Sequence, residues 1–257
     1  MKAFVIDVAR CNGCMNCQIA CKDEHCGTDW LPYVAEQPLT GQFWCKVEEK
    51  VRGSVPKTRI TYVPHIGGQS DALAAAAGDA IVERPDGLMY LDPEKAKGRK
   101  DLCEFEGVYW NEALQIPQTC TGCAHLLDDG WEVPRCVDSC PTKALRFGDV
   151  ADLDLDGAEQ LVEGSRVWYR NLPKRFVTGC IVDFDAREVA IGADVKLVSA
   201  SGNTVAEQKT DEFGDFMFDQ VEPAAYQVVY QIPGKGAKTY DADATELDVN
   251  IGDVPAA

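Results

Sequence analysis

The sequence predicts an α+β protein in which a cysteine-rich region, residues 1–175, precedes an all-β region, residues 176–257. Two observations support this division. Eleven of the 12 cysteines lie between Cys11 and Cys140. Beyond residue 175, short runs of β-forming residues recur with turn residues between them. The boundary follows a stretch at 149–175 that is first acidic and then basic, which we interpret as a linker.

Composition and charge narrow the classes of partner. The 257 residues are 46% hydrophobic and 26% charged, values typical of globular proteins. With 42 acidic and 25 basic residues the net charge is -17, so the surface repels phosphate backbones and we expect no nucleic-acid partner. No apolar run reaches the length of a transmembrane helix or a signal-peptide core, which predicts no membrane segment and a cytoplasmic location.

The first element is a predicted strand within residues 1–10. Apolar Phe4, Ile6 and Val8 recur at every second position, with polar Asp7 and Arg10 nearby. A period of two is typical of a strand with one buried face.

The next segment carries the strongest motif. Cys11, Cys14, Cys17 and Cys21 are spaced C-x2-C-x2-C-x3-C. Three thiolates with two residues between neighbours can occupy three corners of a cubane cluster. In bacterial ferredoxins the fourth cysteine of this motif ligates a different cluster. The run therefore predicts a ferredoxin-like fold with a second, matching cysteine group.

That second group is Cys120, Cys123, Cys136 and Cys140, followed by Pro141, with a longer insertion between its second and third cysteines. Reciprocal ligation predicts two 4Fe-4S clusters. Cluster 1 would use Cys11, Cys14, Cys17 and Cys140, and cluster 2 would use Cys120, Cys123, Cys136 and Cys21.

Two alternatives explain clustered thiols differently. Separated C-x2-C pairs also occur in structural zinc sites, but such a site needs only four ligands, and eight thiols are present here. Disulfides are disfavoured because cysteines three or four residues apart on a tight loop rarely meet the required geometry, and because the cytoplasm is reducing.

At these motifs the chain resembles the iron-sulfur subunits of molybdopterin oxidoreductases of the dimethyl sulfoxide reductase family, and within it the pyrogallol-phloroglucinol transhydroxylase branch. The resemblance extends over essentially the whole chain, including its β-rich tail. It is carried by the cysteine run at 11–21, Asp-Pro-Glu-Lys-Ala-Lys-Gly at 92–98, Val-Tyr-Trp-Asn at 108–111 and the segment at 120–129.

The resemblance implies a function and a partner. It implies a non-catalytic electron-transfer subunit that pairs with a large catalytic subunit holding a molybdenum bis-pterin cofactor. It further implies anaerobic hydroxyl transfer to, or dehydroxylation of, pyrogallol- or catechol-type polyphenols. The clusters are expected either to exchange electrons with a soluble carrier or to poise the molybdenum in a reaction without net redox change.

The sequence departs from the family between the two cysteine groups. Members normally carry another cysteine set there, whose thiols would fall at about His65, Gly68 and Leu73. None of these positions is a cysteine, and we expect Cys103 to be the one remaining cysteine of that set. Because four ligands are the rule for a cubane, we expect the middle cluster to be lost.

Other candidate ligands have ordinary interpretations. We expect His65 to be a solvated loop residue, and His125 either to tune a cluster through a hydrogen bond or simply to pack. The acidic pattern from Asp152 to Glu163 fits the positions of a calcium loop or an acidic linker. We interpret the remaining cysteines as small buried hydrophobic residues. They are Cys26, Cys45, Cys103 and Cys180.

The tail resembles the transthyretin-like, carboxypeptidase-regulatory type of sandwich, an Ig-like two-sheet fold. Strands are expected at 176–182, 193–198, 204–208, 215–218, 226–232 and 246–251. Alternation places Phe216, Phe218, Tyr226 and Val228 in the core. We interpret the tail as an assembly or solubility module, with carbohydrate binding as the alternative.

A free-standing two-cluster ferredoxin with a binding domain is the competing function. Such a ferredoxin needs only about 55 to 80 residues, far fewer than the first region contains. The excess includes aromatic residues that would anchor a permanent interface. These are Trp30, Phe43, Trp44, Tyr109, Trp110 and Trp131.

Overall fold

The computed structural model describes residues 1–26, 43–232 and 236–256. The chain divides into two compact units. The first comprises Met1–Lys50 and Thr61–Leu172, and the second comprises Val51–Ile60 and Pro173–Ala257. The internal segment Val51–Ile60 therefore belongs to the second unit, although the residues before and after it in the sequence belong to the first. Trp30, one of the expected interface aromatics, lies outside the described residues.

The first unit is built on a small central sheet with short hairpins around it. Its strands are β1 (Lys2–Asp7), β2 (Cys45–Ser54), β3 (Lys57–Ile66), β4 (Ile81–Glu83), β5 (Met89–Leu91), β6 (Tyr109–Asn111), β7 (Ile116–Gln118), β8 (Leu145–Asp149) and β9 (Val167–Arg170). The central sheet has the order β8-β1-β9, and the three hairpins are β2-β3, β4-β5 and β6-β7. Segment 51–60 is the tip of the β2-β3 hairpin.

The opening strand is buried on both faces. β1 pairs antiparallel with β8 and parallel with β9. Ala3, Phe4, Val5 and Ile6 are each at most 4% exposed. The alternation seen in the sequence predicted one buried face, whereas a central strand that is covered on both sides also buries the intervening Ala3 and Val5.

The described helices of the first unit are short, and all but the second carry or flank a cysteine motif. They are α1 (Asn16–Glu24), α2 (Asp71–Ala77), α3 (Ala124–Asp128) and α4 (Arg135–Asp138). α1 packs against α4, and α4 packs against β8. α2 begins at a Ser70 N-cap, whose side chain accepts a hydrogen bond from the Leu73 N–H. None of the described helices is long and apolar enough to cross a membrane.

The second unit contains two sheets. Its further strands are β10 (Arg175–Asp183), β11 (Glu188–Val189), β12 (Asp194–Ser199), β13 (Thr204–Lys209), β14 (Asp215–Val221), β15 (Ala225–Ile232), β16 (Gly236–Asp243) and β17 (Val249–Pro255). In one sheet β10 pairs with β11, β14 and β17, and the other has the order β13-β12-β15-β16.

The two sheets share one apolar core. Its members include Val177, Ile181, Phe216 and Phe218 from the first sheet and Val195, Leu197, Val228 and Tyr230 from the second. Phe216, Phe218, Tyr226 and Val228 are buried as the alternation predicted. β16 was not expected from the sequence, because only Ala242 along it is buried and an edge strand with one buried position has little apolar periodicity.

A buried ion pair ties the hairpin tip to the rest of the second unit. The Arg52 Nη1 donates to Asp248 Oδ1 at 3.0 Å, and the Asp248 side chain is only 4% exposed. The same oxygen accepts the Phe176 N–H at 2.9 Å. The isolated segment 173–257 therefore loses the cation that neutralises a buried carboxylate, a loss that typically costs about 3–5 kcal/mol.

We expect the isolated segment 173–257 to melt cooperatively without iron, since it holds most of one core. Because Asp248 has no cation there, Asp248→Asn should raise its Tm, whereas in the full chain the same substitution should lower the Tm by breaking the pair with Arg52. Exposed Glu246 offers the matched control, Glu246→Gln. Thermal melts by circular dichroism test both signs, and a non-cooperative melt would show that the segment does not fold alone.

Candidate metal centre

The first cysteine run forms a loop followed by a helix. Gly13 has a φ of +72°, and Met15, the N-cap of α1, has a φ of +61°. These left-handed turns reverse the backbone between Cys11 and Cys17. Cys17 and Cys21 lie four residues apart on α1, hence on one face, and both are buried.

The second run repeats this backbone pattern. Gly122 has a φ of +64° and Cys123, at the start of α3, a φ of +52°. The Gly122 N–H donates to the Cys120 Sγ at 3.3 Å. Cys136 lies on α4 and Cys140 shortly after it, and both are buried. The glycine two residues after the first cysteine of each run thus allows a turn that a residue with a Cβ rarely adopts.

One group of thiols draws on both runs. Burial raises the pKa of the Cys11 thiol, and negative charge on Cys17, Cys140 and Cys14 raises it further. Cys140 of the second run therefore lies close to Cys11, as do Cys14 and Cys17 of the first. Cys14 is exposed and Cys11 half-buried, so this group reaches the surface.

The other group is the reciprocal one. Burial raises the pKa of Cys120 well above its ordinary value, with further increases from Cys21, Cys136 and Cys123. Burial likewise raises the pKa of Cys21 to about 12, with contributions from Cys136 and Cys123. Cys21 of the first run therefore lies among three cysteines of the second. All four are buried.

Each group supplies four thiols that could ligate a metal cluster. Among the described residues, no three His, Cys, Asp or Glu side chains are arranged to hold one metal ion. A single tetrahedral zinc would draw its four sulfurs to within about 4 Å of each other, since each Zn–S bond is about 2.3 Å. A cubane holds its four thiolates farther apart, because the ligands bind four different irons.

Three residues near the thiols were not recognised as functional from the sequence. Cys45 is only 1% exposed, and hydrogen bonds to the Cys136 and Cys17 thiols raise its pKa well above the ordinary value. It therefore lies between one cysteine of each group. Gln18 on α1 accepts the Val47 N–H at 2.8 Å and so fixes the strand that carries Cys45.

The third is Gln69, which is 1% exposed. Its Nε2 donates to the Cys120 carbonyl at 3.0 Å and to the Met89 carbonyl at 2.6 Å, while its Oε1 accepts the Met89 N–H at 3.1 Å. A buried amide with all these bonds holds the start of the second cysteine run against β5. No local sequence pattern marks such a residue, because its partners lie 20 and 51 positions away.

The histidines have defined partners. His65 lies on β3 with a side chain 21% exposed, and its Nε2 is 3.0 Å from Glu48 Oε2. The expectation of a solvated loop histidine was wrong, because the β2-β3 pairing brings a carboxylate to it. His125 pairs with Glu24 at 3.1 Å and is 50% exposed. The His25 Nδ1 lies 2.7 Å from the Cys21 carbonyl.

In the segment expected to have lost a cluster, two glycines approach neighbouring segments closely. A Cβ on Gly67 would lie 2.6 Å from the Gly107 carbonyl, and one on Gly68 would lie 2.4 Å from the Thr119 side chain. Leu73 is fully buried, and Cys103 packs against the core around it. Cys103 is thus a half-buried packing residue.

The acidic stretch that resembled a calcium loop forms no helix in the structure. Asp154 pairs with Arg170, and this ion pair lowers the pKa of the Asp154 carboxyl. Its carboxylate is thus already neutralised by a cation, which favours the acidic-linker interpretation.

Comparison with known proteins decides the family. Residues 69–150 match the model of a 4Fe-4S dicluster domain. The pyrogallol hydroxytransferase small subunit of Pelobacter acidigallici is 37% identical to this chain over 271 residues, covering 96% of this chain and 97% of that protein. The chain belongs to the family of that iron-sulfur small subunit. The expected resemblance and the ferredoxin-like 4Fe-4S domain are thereby confirmed.

More distant relatives match part of the chain. A tetrathionate reductase subunit of Salmonella typhimurium is 28% identical, covering 58% of this chain and 58% of its own. A subunit of the anaerobic dimethyl sulfoxide reductase of Escherichia coli is 26% identical, covering 58% of this chain and 74% of its own. Among solved structures, a 5-hydroxyisourate hydrolase of Klebsiella pneumoniae covers 32% of this chain and 91% of its own at 15% identity, but its TM-score of 0.28 is too low to indicate a shared fold.

Proposed function

We propose that this chain is the electron-transfer subunit of a molybdopterin enzyme and that its two thiol groups bind two 4Fe-4S clusters. The observation that carries the proposal is the exchange between the runs: Cys140 lies with Cys11, and Cys21 lies with Cys120. Each cluster, when bound, supplies a one-electron redox centre. The ligand sets are Cys11, Cys14, Cys17 and Cys140 for one cluster and Cys120, Cys123, Cys136 and Cys21 for the other.

The polypeptide provides a dry environment with hydrogen-bond donors around the thiolates. Six of the eight thiols are buried, and the Gly122 N–H donates to the Cys120 sulfur. Burial raises the pKa of Cys21, and the Cys45 backbone N–H offsets part of that increase by donating to the Cys21 sulfur. Such hydrogen bonds stabilise negative charge on sulfur and tune cluster potential.

The catalytic chemistry is assigned to a large partner subunit that carries a molybdenum bis-pterin cofactor. The matched relative is named a pyrogallol hydroxytransferase small subunit, which supports hydroxyl transfer to, or dehydroxylation of, a pyrogallol- or catechol-type polyphenol. The partner's contact surface would include exposed apolar side chains of the first unit. Ile19 on α1 is 62% exposed and Trp131, beside Arg135, is 42% exposed.

The second unit is assigned the transthyretin-like sandwich fold with an assembly role. Its two sheets with one core support the fold. A free-standing ferredoxin is the less favoured function, because the match with the small subunit extends over 96% of this chain, including the second unit. We place the complex in the cytoplasm as a heterodimer whose clusters either exchange electrons with a soluble carrier or poise the molybdenum in a reaction without net redox change.

The proposal predicts that the native complex is obtained without detergent. With only two clusters, the electron path is short and no outer cluster leads to a membrane anchor. We expect a tagged chain to co-purify anaerobically with one large molybdenum-containing subunit, and the pair to turn over a polyphenol. The assay is run with and without an artificial electron donor. Activity confined to a membrane fraction with a cytochrome or quinone-binding subunit would contradict the proposal.

A further inference from the structure

The Cys45 thiol contacts one proposed ligand of each cluster. It forms hydrogen bonds with the Cys136 and Cys17 sulfurs, and these two cysteines belong to different ligand sets. The Cys45 side chain is 1% exposed and packs in the same apolar core as both partners. This one side chain therefore connects the two thiol groups in the interior of the first unit.

Two backbone hydrogen bonds hold this part of the chain in place independently of the Cys45 side chain. The Cys45 N–H donates to the Cys21 sulfur. Two residues later, the Val47 N–H donates to Gln18 Oε1 at 2.8 Å. Both partners lie on α1, so the start of β2 is attached to the helix that carries the first cysteine run. Replacing the Cys45 side chain leaves both of these bonds available.

The thiol is suited to be a hydrogen-bond donor to the ligands, not a further ligand. Each proposed set already has four cysteines, the number that a cubane takes. When the clusters are bound, Cys17 and Cys136 are thiolates and have no proton to donate, so the proton of each hydrogen bond must come from Cys45. A third negative sulfur buried beside two thiolates would be strongly repelled, which keeps Cys45 in its neutral S–H form.

A donor at a ligand sulfur favours the reduced cluster. Reduction adds one negative charge that is partly carried by the ligand sulfurs, and the S–H group stabilises this charge. A thiol has only one proton, so Cys45 can donate fully to Cys17 or to Cys136 but not to both. The hydrogen bond therefore forms with the ligand of whichever cluster is reduced first.

We propose that Cys45 is a positioning residue whose single thiol hydrogen bond is shared between the two clusters. The inference rests on the proposed function and extends it to the order of reduction. The electrons come from the redox partner of that function, and the proton stays bonded to the Cys45 sulfur throughout. The first electron is taken up at a higher potential because the shared bond stabilises it. The second electron gains no such bond, so Cys45 widens the gap between the two reduction steps and favours the chain that carries one electron.

A redox titration of the full chain, followed by electron paramagnetic resonance, tests this role. In Cys45→Ala, the ratio of reduced to oxidised cluster in the first step should fall about fivefold at a fixed solution potential, the value of one ordinary hydrogen bond. The second step should stay within about twofold of wild type. Cys45→Ser keeps a hydroxyl donor, and its first-step ratio should lie between those of Cys45→Ala and wild type. Cys103→Ala is the matched control and should change neither step, because Cys103 packs in the apolar cluster around Leu73.

Chains with one cluster test whether the hydrogen bond is shared. Cys120→Ser should keep the cluster that is ligated by Cys17, and Cys14→Ser should keep the cluster that is ligated by Cys136. In each background, adding Cys45→Ala should lower the reduced-to-oxidised ratio of the remaining cluster about fivefold, because the proton then has only one cluster to stabilise. An effect in one background alone would show that Cys45 donates to a single cluster and would overturn the shared role.

Iron analysis of the same samples separates the remaining outcomes. Cys45→Ala should retain the wild-type iron content, whereas a loss of about half would make Cys45 itself a ligand and overturn the inference. If Cys45→Ala does not fold, Cys45→Val, which is close to cysteine in volume and has no donor, takes its place. A wild-type first step in an iron-replete variant, an equal shift of both steps, or a Cys45→Ser chain that behaves like Cys45→Ala overturns the inference and leaves the cluster proposal standing. A wild-type chain without cluster iron would contradict the proposed function, and the inference with it.

Discussion

Replacing Cys140 by serine is expected to perturb the same paramagnetic signal as replacing Cys14, although the two cysteines lie in different sequence motifs. Cys140 lies close enough to Cys11 and its neighbours to raise the pKa of Cys11. In the same way, Cys21→Ser should behave like Cys123→Ser. Each substitution removes one of four cluster ligands, so one of two signals should be lost or strongly shifted. Electron paramagnetic resonance of the dithionite-reduced chain provides the measurement.

The control for this experiment is Cys103→Ser. Cys103 is half-buried and packs in the apolar cluster around Leu73, which contains none of the eight proposed ligands, so its substitution should leave both signals intact. If Cys14 and Cys21 altered one signal together, each run would be binding its own cluster. The crossed ligand sets would then be wrong.

The second large effect concerns iron stoichiometry. Two cubanes require about eight irons and about eight acid-labile sulfides per chain, beyond any on the partner. Cys120→Ser should reduce the iron by about half, because Cys120 is buried among the other three thiols of its group and an incomplete site cannot keep its cubane. Cys103→Ser should retain the wild-type amount. Colorimetric iron and sulfide analysis of the chain gives both values.

An iron content of about twelve or more per chain would show that the middle region binds a third cluster. An iron content of about four in the wild-type chain would instead mean that one thiol group is not a cluster site. The iron content per chain therefore distinguishes a third cluster in the middle region from the loss of a cluster at one thiol group.

The sequence by itself determined the cysteine chemistry, because ligand spacing within each run is set by covalent geometry over a few residues. The C-x2-C-x2-C-x3-C run and its counterpart were sufficient to predict the ferredoxin-like 4Fe-4S domain, which the family match confirms. Alternation likewise predicted that Phe216 and Val228 are buried. The reciprocal ligand sets also came from the motif and stay a prediction until the serine variants are measured.

Only the tertiary structure decided the features that depend on distant residues. Arg52 and Asp248 are 196 positions apart, yet this pair ties the hairpin tip at 51–60 to the rest of the second unit. The sequence does not distinguish Cys45 from an ordinary buried cysteine. In the structure, β2 places it between Cys17 and Cys136. Residues as far apart in sequence as Trp44 and Tyr169 line one cavity of the first unit. The spacing of residues over a few positions cannot predict such contacts, because they form only when the whole chain has packed.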